Sequence, residues 1–147
     1  MPLVSVIIPC YNHQNYIESC LLSIMKQTYF AIELIIIDDC SKDSSVNIMK
    51  KNLEQLQQRF ERVEIREHKV NKGLTKTLNE GLNLSRGNYI KVLASDDMLH
   101  PKCIELLVAT MEQNKAYDML FSNGQYISET CSYEDAIKLA NKMNIRY

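Results

Sequence analysis

The stretch Leu3-Val4-Ser5-Val6-Ile7-Ile8-Pro9-Cys10-Tyr11-Asn12 decides the fold class. Leu3 to Ile8 is a nearly continuous apolar run rich in β-branched residues, and Pro9 stops it. A short run of this kind, with no polar alternation, predicts a strand buried on both faces. Leu34-Ile35-Ile36-Ile37, inside the stretch from Glu33 to Asp38, repeats the pattern. A second strand of the same type is expected there.

Between these strands, Ile17, Leu21, Ile24 and Met25 follow helical spacing within residues 15–27. A further helix is expected from Ser44, a good cap residue, with Val46, Met49, Leu53, Leu56 and Phe60 on one face. Val63 to Arg66 alternates apolar and polar residues, which suits a half-covered strand nearer an edge. Leu74, Leu78 and Leu82 define the next helix face. Gly81 inside it carries a propensity cost and reads as close packing against the sheet. Gly87 reads as the left-handed end of that helix.

Tyr89 to Leu93 predicts a fourth strand. Pro101 suits the first turn of a helix whose core face is Ile104, Leu107, Val108 and Met111. Asp118 to Phe121 reads as a fifth strand and Tyr133 to Met143 as a last helix. In that helix Ser132 would cap the first turn, and Ile137, Ala140 and Met143 would face the sheet. Strands alternate with helices throughout. The order predicts right-handed crossovers and an α/β fold with a mainly parallel sheet flanked by helices, Rossmann-like in kind.

A chain of 147 residues can bury one core without staples. The net charge of -1 offers no basic face, so nucleic acid is not an expected partner. The five cysteines are odd in number and none has C-x-x-C spacing, which argues against a zinc site or a disulfide framework. Reduced thiols and a cytoplasmic location are the expectation. There is no basic leader and no apolar run of membrane-spanning length, so membrane association would come only through further regions. No G-x-G-x-x-G or phosphate-loop pattern supports a dehydrogenase or a P-loop ATPase.

Ligands of open α/β sheets bind beyond the carboxyl ends of the strands. The residues standing there are Pro9, Tyr11 and Asn12, then Asp38 and Asp39, then Asn71 and Gly73, then Ser95, Asp96 and Asp97. A carboxylate can accept from a base N–H or a ribose hydroxyl, and an aromatic ring such as Tyr11 can pack on a nucleobase. A second carboxylate can hold Mg2+ or Mn2+ against a diphosphate. The plainer readings are that Asp38 and Asp39 only shape a turn and that Asp96 and Asp97 only cap a helix. His13, His68 and His100 are scattered; His100 alone is weighed as a metal neighbour, with a solvated loop residue the better reading. Cys10 and Cys40 read as packing residues, since no histidine stands beside them in sequence.

The ordered set Val4-Ser5-Val6-Ile7-Ile8-Pro9-Cys10-Tyr11-Asn12, Ser23-Ile24-Met25-Lys26-Gln27-Thr28 and Ile36-Ile37-Asp38-Asp39-Cys40-Ser41-Lys42-Asp43 resembles the family-2 glycosyltransferases of GT-A fold. Asn71-Lys72-Gly73, Asn79-Glu80-Gly81, Arg86-Gly87-Asn88-Tyr89-Ile90 and Ser95-Asp96-Asp97 continue it. The resemblance implies a nucleotide-sugar-binding domain over residues 1–123, with 124–147 a helical extension or the start of an acceptor region. It implies that Pro9 and Tyr11 line a base pocket, with Asn12 supporting the loop. Asp39 would accept from the base, usually uracil, and Asp38 would shape the turn. Asn71 and Gly73 would lie near the nucleotide and phosphates, and Ser95, Asp96 and Asp97 at the nucleotide and metal end. Asp96, with Asp97 beside it, would hold the divalent cation.

The expected reaction is inverting, metal-assisted transfer of a sugar from a UDP-sugar to a glycan or lipid-linked acceptor. Many such enzymes carry Asp-x-Asp-Asp at the metal site, where this chain has Ala94 at the first position. The catalytic base usually lies well beyond the metal motif, and none is assigned here. The rival expectation is a donor-binding module with little turnover of its own. A receiver-like signalling domain fits poorly, because its acidic pair would follow the first strand, where Pro9-Cys10-Tyr11-Asn12 stands.

Overall fold

A computed structural model describes residues 1–122, 124 and 133–142. The element order is β1 (Val4–Cys10), α1 (Ile17–Met25), β2 (Ile32–Asp38), α2 (Ser45–Arg59), β3 (Arg62–Glu67), α3 (Leu74–Leu84), β4 (Tyr89–Val92), α4 (Cys103–Gln113) and α5 (Tyr133–Lys142). The four strands form one parallel sheet in the order β3-β2-β1-β4. β1 and β2, the two uninterrupted apolar runs, occupy its centre, and the alternating β3 lies at an edge.

Register places Val4 opposite Ile32 and Cys10 opposite Asp38. Side chains alternate across the sheet, so Val4, Val6, Ile8, Cys10, Leu34 and Ile36 share one face. They form the main core with Ile17, Leu21 and Ile24 of α1, Met49 and Leu56 of α2, and Ile104 and Val108 of α4. Pro9 lies inside β1 rather than ending it. Ile7 faces β4, where its carbonyl accepts from the Leu93 N–H at 3.0 Å. Pro9, two residues on, therefore turns its nitrogen toward a side where the β4 ladder has already run out, and the missing donor costs nothing.

α3 covers the other face through small residues. Thr77 and Gly81 are its buried positions, while Leu74 and Leu82 are exposed, so the leucine stripe is not the face that meets the sheet. A Cβ on Gly81 would lie 2.5 Å from Ile7 Cγ2, which confirms the close approach expected for this glycine. Gly87 does not take a left-handed conformation. It is needed because a Cβ there would lie 2.6 Å from the Ser5 nitrogen and 2.8 Å from the Leu3 oxygen.

Residues 118–121 form no strand; Met119 and Phe121 are 68% and 87% exposed, and no strand among the described residues pairs with them. α5 forms over Tyr133–Lys142, with Lys26 Nζ 2.8 Å from Glu134 Oε1 and 4.6 Å from the Tyr133 ring centre. Asn123, Ser132 and Met143, named above as a boundary, a cap and a core contact, lie outside the described residues, as do the contacts of Ala140.

Candidate functional site

Two loops interlock at the carboxyl end of β1. Asn12 adopts a left-handed backbone, φ 57°, which asparagine tolerates better than most residues. Its N–H donates to Ser41 Oγ at 2.9 Å, and its Oδ1 accepts from the Lys42 N–H at 2.8 Å. The His13 N–H donates to Ser45 Oγ at 3.0 Å, and the Gln14 N–H to Asp43 Oδ2 at 2.9 Å. Asp43 Oδ1 accepts from both the N–H and the hydroxyl of Ser45. Asp43 therefore caps α2, and the Ser44 side chain makes no cap bond. Burial opposes ionisation of Asp43, but these bonds prevail and hold its carboxyl below the usual range. Tyr11 is left 45% exposed and Pro9 partly so, both free of the core.

The acidic pair after β2 splits into two roles. Asp38 is buried; its Oδ2 accepts from the Ser41 N–H at 2.8 Å, and its Oδ1 meets no partner among the described residues. Asp39 is a hub. Its Oδ1 accepts from His68 Nδ1 at 2.7 Å and from the Lys72 N–H at 2.7 Å, and its Oδ2 from the Gly73 N–H at 2.8 Å. Burial disfavours the Asp39 charge, yet those three donors outweigh it and depress its pKa. Asn71 braces the same loop, donating to the Asp39 carbonyl at 3.3 Å and accepting from Gly73 at 3.1 Å. Gly73 stands before α3 at φ 82°, ψ 158°, a conformation that only glycine adopts readily.

His68 continues the network. Its Nε2 lies 2.9 Å from Glu80 Oε2, which Lys72 Nζ also reaches at 3.1 Å. The His68 bond, then the Lys72 bond, pull the Glu80 carboxyl below the usual range.

The second acidic pair lies past β4. Ser95 is buried, and its Oγ is 2.7 Å from His13 Nδ1. That nitrogen is also 4.0 Å from Asp96 Oδ1. The histidine beside Asp96 is thus His13 rather than His100, whose Nδ1 accepts from the Lys102 N–H at 3.3 Å. The Asp97 N–H closes a turn onto the Ala94 carbonyl at 3.0 Å. Burial, then the neighbouring Asp96 charge, push the Asp97 carboxyl upward.

Among the described residues, no group of three or more His, Cys, Asp or Glu could hold a metal unaided. The adjacent carboxylates Asp96 and Asp97 still suit a hard cation. Such an ion commonly takes one or two carboxylates and completes its shell with phosphate and water oxygens.

All the strand-end candidates therefore fall on one side of the sheet in two clusters. Asp39, Asn71 and Gly73 share one, and Ser95 and Asp96 share the other, while Pro9, Tyr11 and Asn12 stand between them at the end of central β1. Sequence reasoning missed His13, His68 and Glu80. His13 and His68 both stand just past strand ends, so the rule that selected the carboxylates would have selected them too.

This arrangement is that of an α/β domain with its polar loops gathered beyond the carboxyl ends of a parallel sheet. The profile of Glycosyl transferase family 2 matches residues 5–146, and the chain belongs to that family. It is 36% identical over 126 residues to an uncharacterized glycosyltransferase of Haemophilus influenzae, covering 86% of this chain and 37% of that protein. Among solved structures it resembles S. aureus TarS 1–349 in complex with UDP-GlcNAc, with TM-score 0.71 and 26% identity over 86% of this chain and 37% of that one. It also resembles the mannosyltransferase PcManGT of Pyrobaculum calidifontis in complex with GDP-Man and Mn2+. There the TM-score is 0.65 and the identity 25%, over 74% of this chain and 31% of that one. The chain spans about a third of the length of each of these relatives. No helix among the described residues is long and apolar enough to cross a membrane.

Proposed function

We propose that the protein transfers a sugar from a UDP-sugar to an acceptor hydroxyl on a glycan or lipid-linked molecule, with inversion and with a divalent cation at Asp96. The observation that carries the donor part is the state of Asp39. An ionised carboxylate has about four acceptor positions, and three are filled. The one left takes a single N–H, which the imide of uracil offers. Guanine presents two adjacent N–H groups, and a paired contact would need both oxygens free. Tyr11 would pack on the base, with Pro9 beside it and Asn12 holding the loop. The loop of Asn71 and Gly73 would lie near the ribose and phosphates.

Asp96 and Asp97 would hold the cation, which when bound neutralises charge on the departing diphosphate. Ser95 and His13, bonded to each other, stand beside Asp96. The base that deprotonates the attacking hydroxyl is assigned to no residue here. The rival reading, binding without turnover, is less favoured, since the relatives bear the names of transferases.

Calorimetric titration of UDP, GDP and ADP with Mn2+ tests the reading. UDP should bind tightest, Asp96→Asn should remove the gain from Mn2+, and Ala94→Asp should increase it. Equal weak binding of all three nucleotides contradicts the role of Asp39. Indifference to a chelator contradicts that of Asp96.

A further inference from the structure

His68 stands just past the end of β3 and Glu80 within α3, and a hydrogen-bonded network joins both to Asp39. The His68 side chain is 3% exposed, and a carboxylate oxygen faces each of its ring nitrogens, Asp39 Oδ1 at 2.7 Å and Glu80 Oε2 at 2.9 Å. A ring can bond to both only by donating from both nitrogens. Lys72 Nζ also reaches Glu80, 3.1 Å away. Asp39 and Glu80 thus bracket the ring, and Asp39 links this network to the candidate base pocket.

We propose that His68 and Glu80 are positioning residues for base recognition. They fix the direction of the Asp39 carboxylate and keep it ionised, and so set the choice between uracil and cytosine. The inference rests on the reading that Asp39 meets the base. The terminal torsion of an aspartate is broad, so its oxygens are aimed by their partners and not by the rotamer. The two backbone donors, Lys72 and Gly73, sit on a loop; the ring of His68 is the buried side-chain brace. Glu80 holds that ring from the far side, on the rigid turn of α3.

The chemical consequence is selective. An ionised carboxylate only accepts, so it welcomes the N3–H of uracil and repels the bare N3 of cytosine. A carboxyl that has lost its donors takes a proton more readily and can donate to cytosine N3 instead. Loosening the brace should therefore narrow the preference for uracil, beyond any general loss of affinity.

The test is the ratio of CDP to UDP dissociation constants, since the two ligands share ribose and diphosphate. The wild type should favour UDP by about tenfold or more, the scale of one hydrogen bond to a charged group. His68→Leu should bring the ratio near unity. His68→Asn, whose amide can donate near the Nδ1 position, should retain most of it. Glu80→Gln at a half-buried site keeps the fold and should give an intermediate ratio, so the test stands even where His68→Leu unfolds. Thermal melting of each variant shows that the titrations are run on folded protein. Equal loss of UDP and CDP affinity, with the ratio unchanged, overturns the positioning role while leaving Asp39 as the base contact. A wild type that does not distinguish UDP from CDP removes the Asp39 reading itself.

Discussion

Replacing Asp39 with asparagine keeps the side-chain shape and exchanges one acceptor oxygen for an NH2 group. Oδ1 serves two donors, His68 Nδ1 and the Lys72 N–H, and Oδ2 serves the Gly73 N–H. The better orientation of the amide turns its oxygen to the pair and its NH2 toward Gly73. One part-buried N–H is then left facing another donor, at about 1–3 kcal/mol. The His68 bond also loses its charged acceptor, about 1 kcal/mol more on the difference between charged and neutral bonds. The expected loss of stability is therefore roughly 2–4 kcal/mol.

The pH dependence fixes the cause. The folded pKa of Asp39 lies below its unfolded value, so its contribution is present above the unfolded value near ~3.9. It disappears as pH falls through the depressed folded value. Urea unfolding of both proteins at neutral pH and in acid is the assay. The gap should be full at neutral pH and close in acid. A gap under about 0.5 kcal/mol at pH 7, within the ordinary range of surface substitutions, would refute the hub. So would a gap that persists unchanged in acid.

Other outcomes follow from single contacts. Gly87→Ala drives a Cβ into the backbone of β1 and should cost about 3 kcal/mol in urea unfolding. Gly81→Ala meets only the Ile7 side chain and gains helix propensity, so it should cost less. Cys40, at φ 68°, holds a left-handed backbone that a Cβ disfavours; Cys40→Gly should gain about 1 kcal/mol in the same assay. Asp97 has a folded pKa raised by burial and by Asp96, so its ionised form costs stability that is regained below the unfolded value. Asp97→Asn should raise the melting temperature of metal-free protein at neutral pH, with no gain in acid, while weakening the response to Mn2+. A drop in melting temperature at neutral pH would contradict it.

The central strands were legible because Val4–Ile8 and Leu34–Ile37 are apolar but for Ser5, which is itself buried. The same criterion failed at Met119-Leu120-Phe121, where apolar character exists but no strand among the described residues lies alongside. It failed differently on α3. The leucine spacing is real, but the helix comes so close to Ile7 that only Thr77 and Gly81 fit between. At the site, the strand-end rule covers the carboxylates and equally His13 and His68, but it cannot say which of them meet. His68 meets Asp39 across 29 positions of sequence, and no local pattern announces such a contact. Capping by Asp43 in place of Ser44 was hidden for a related reason, since two neighbouring residues could each serve and Gln14 and Ser45 select between them.

The central claim is that a uridine diphosphate sits across the ends of β1, β2 and β4. A titration of 15N-labelled protein with UDP and Mg2+, followed by amide spectra, tests it most directly. The amides of Tyr11, Asn12, Asp39, Gly73 and Asp96 should shift together along one saturating curve, while those of Glu33, Arg62 and Arg86 at the opposite sheet end stay still. Saturable shifts confined to the opposite end, or no shifts at millimolar UDP, would contradict it.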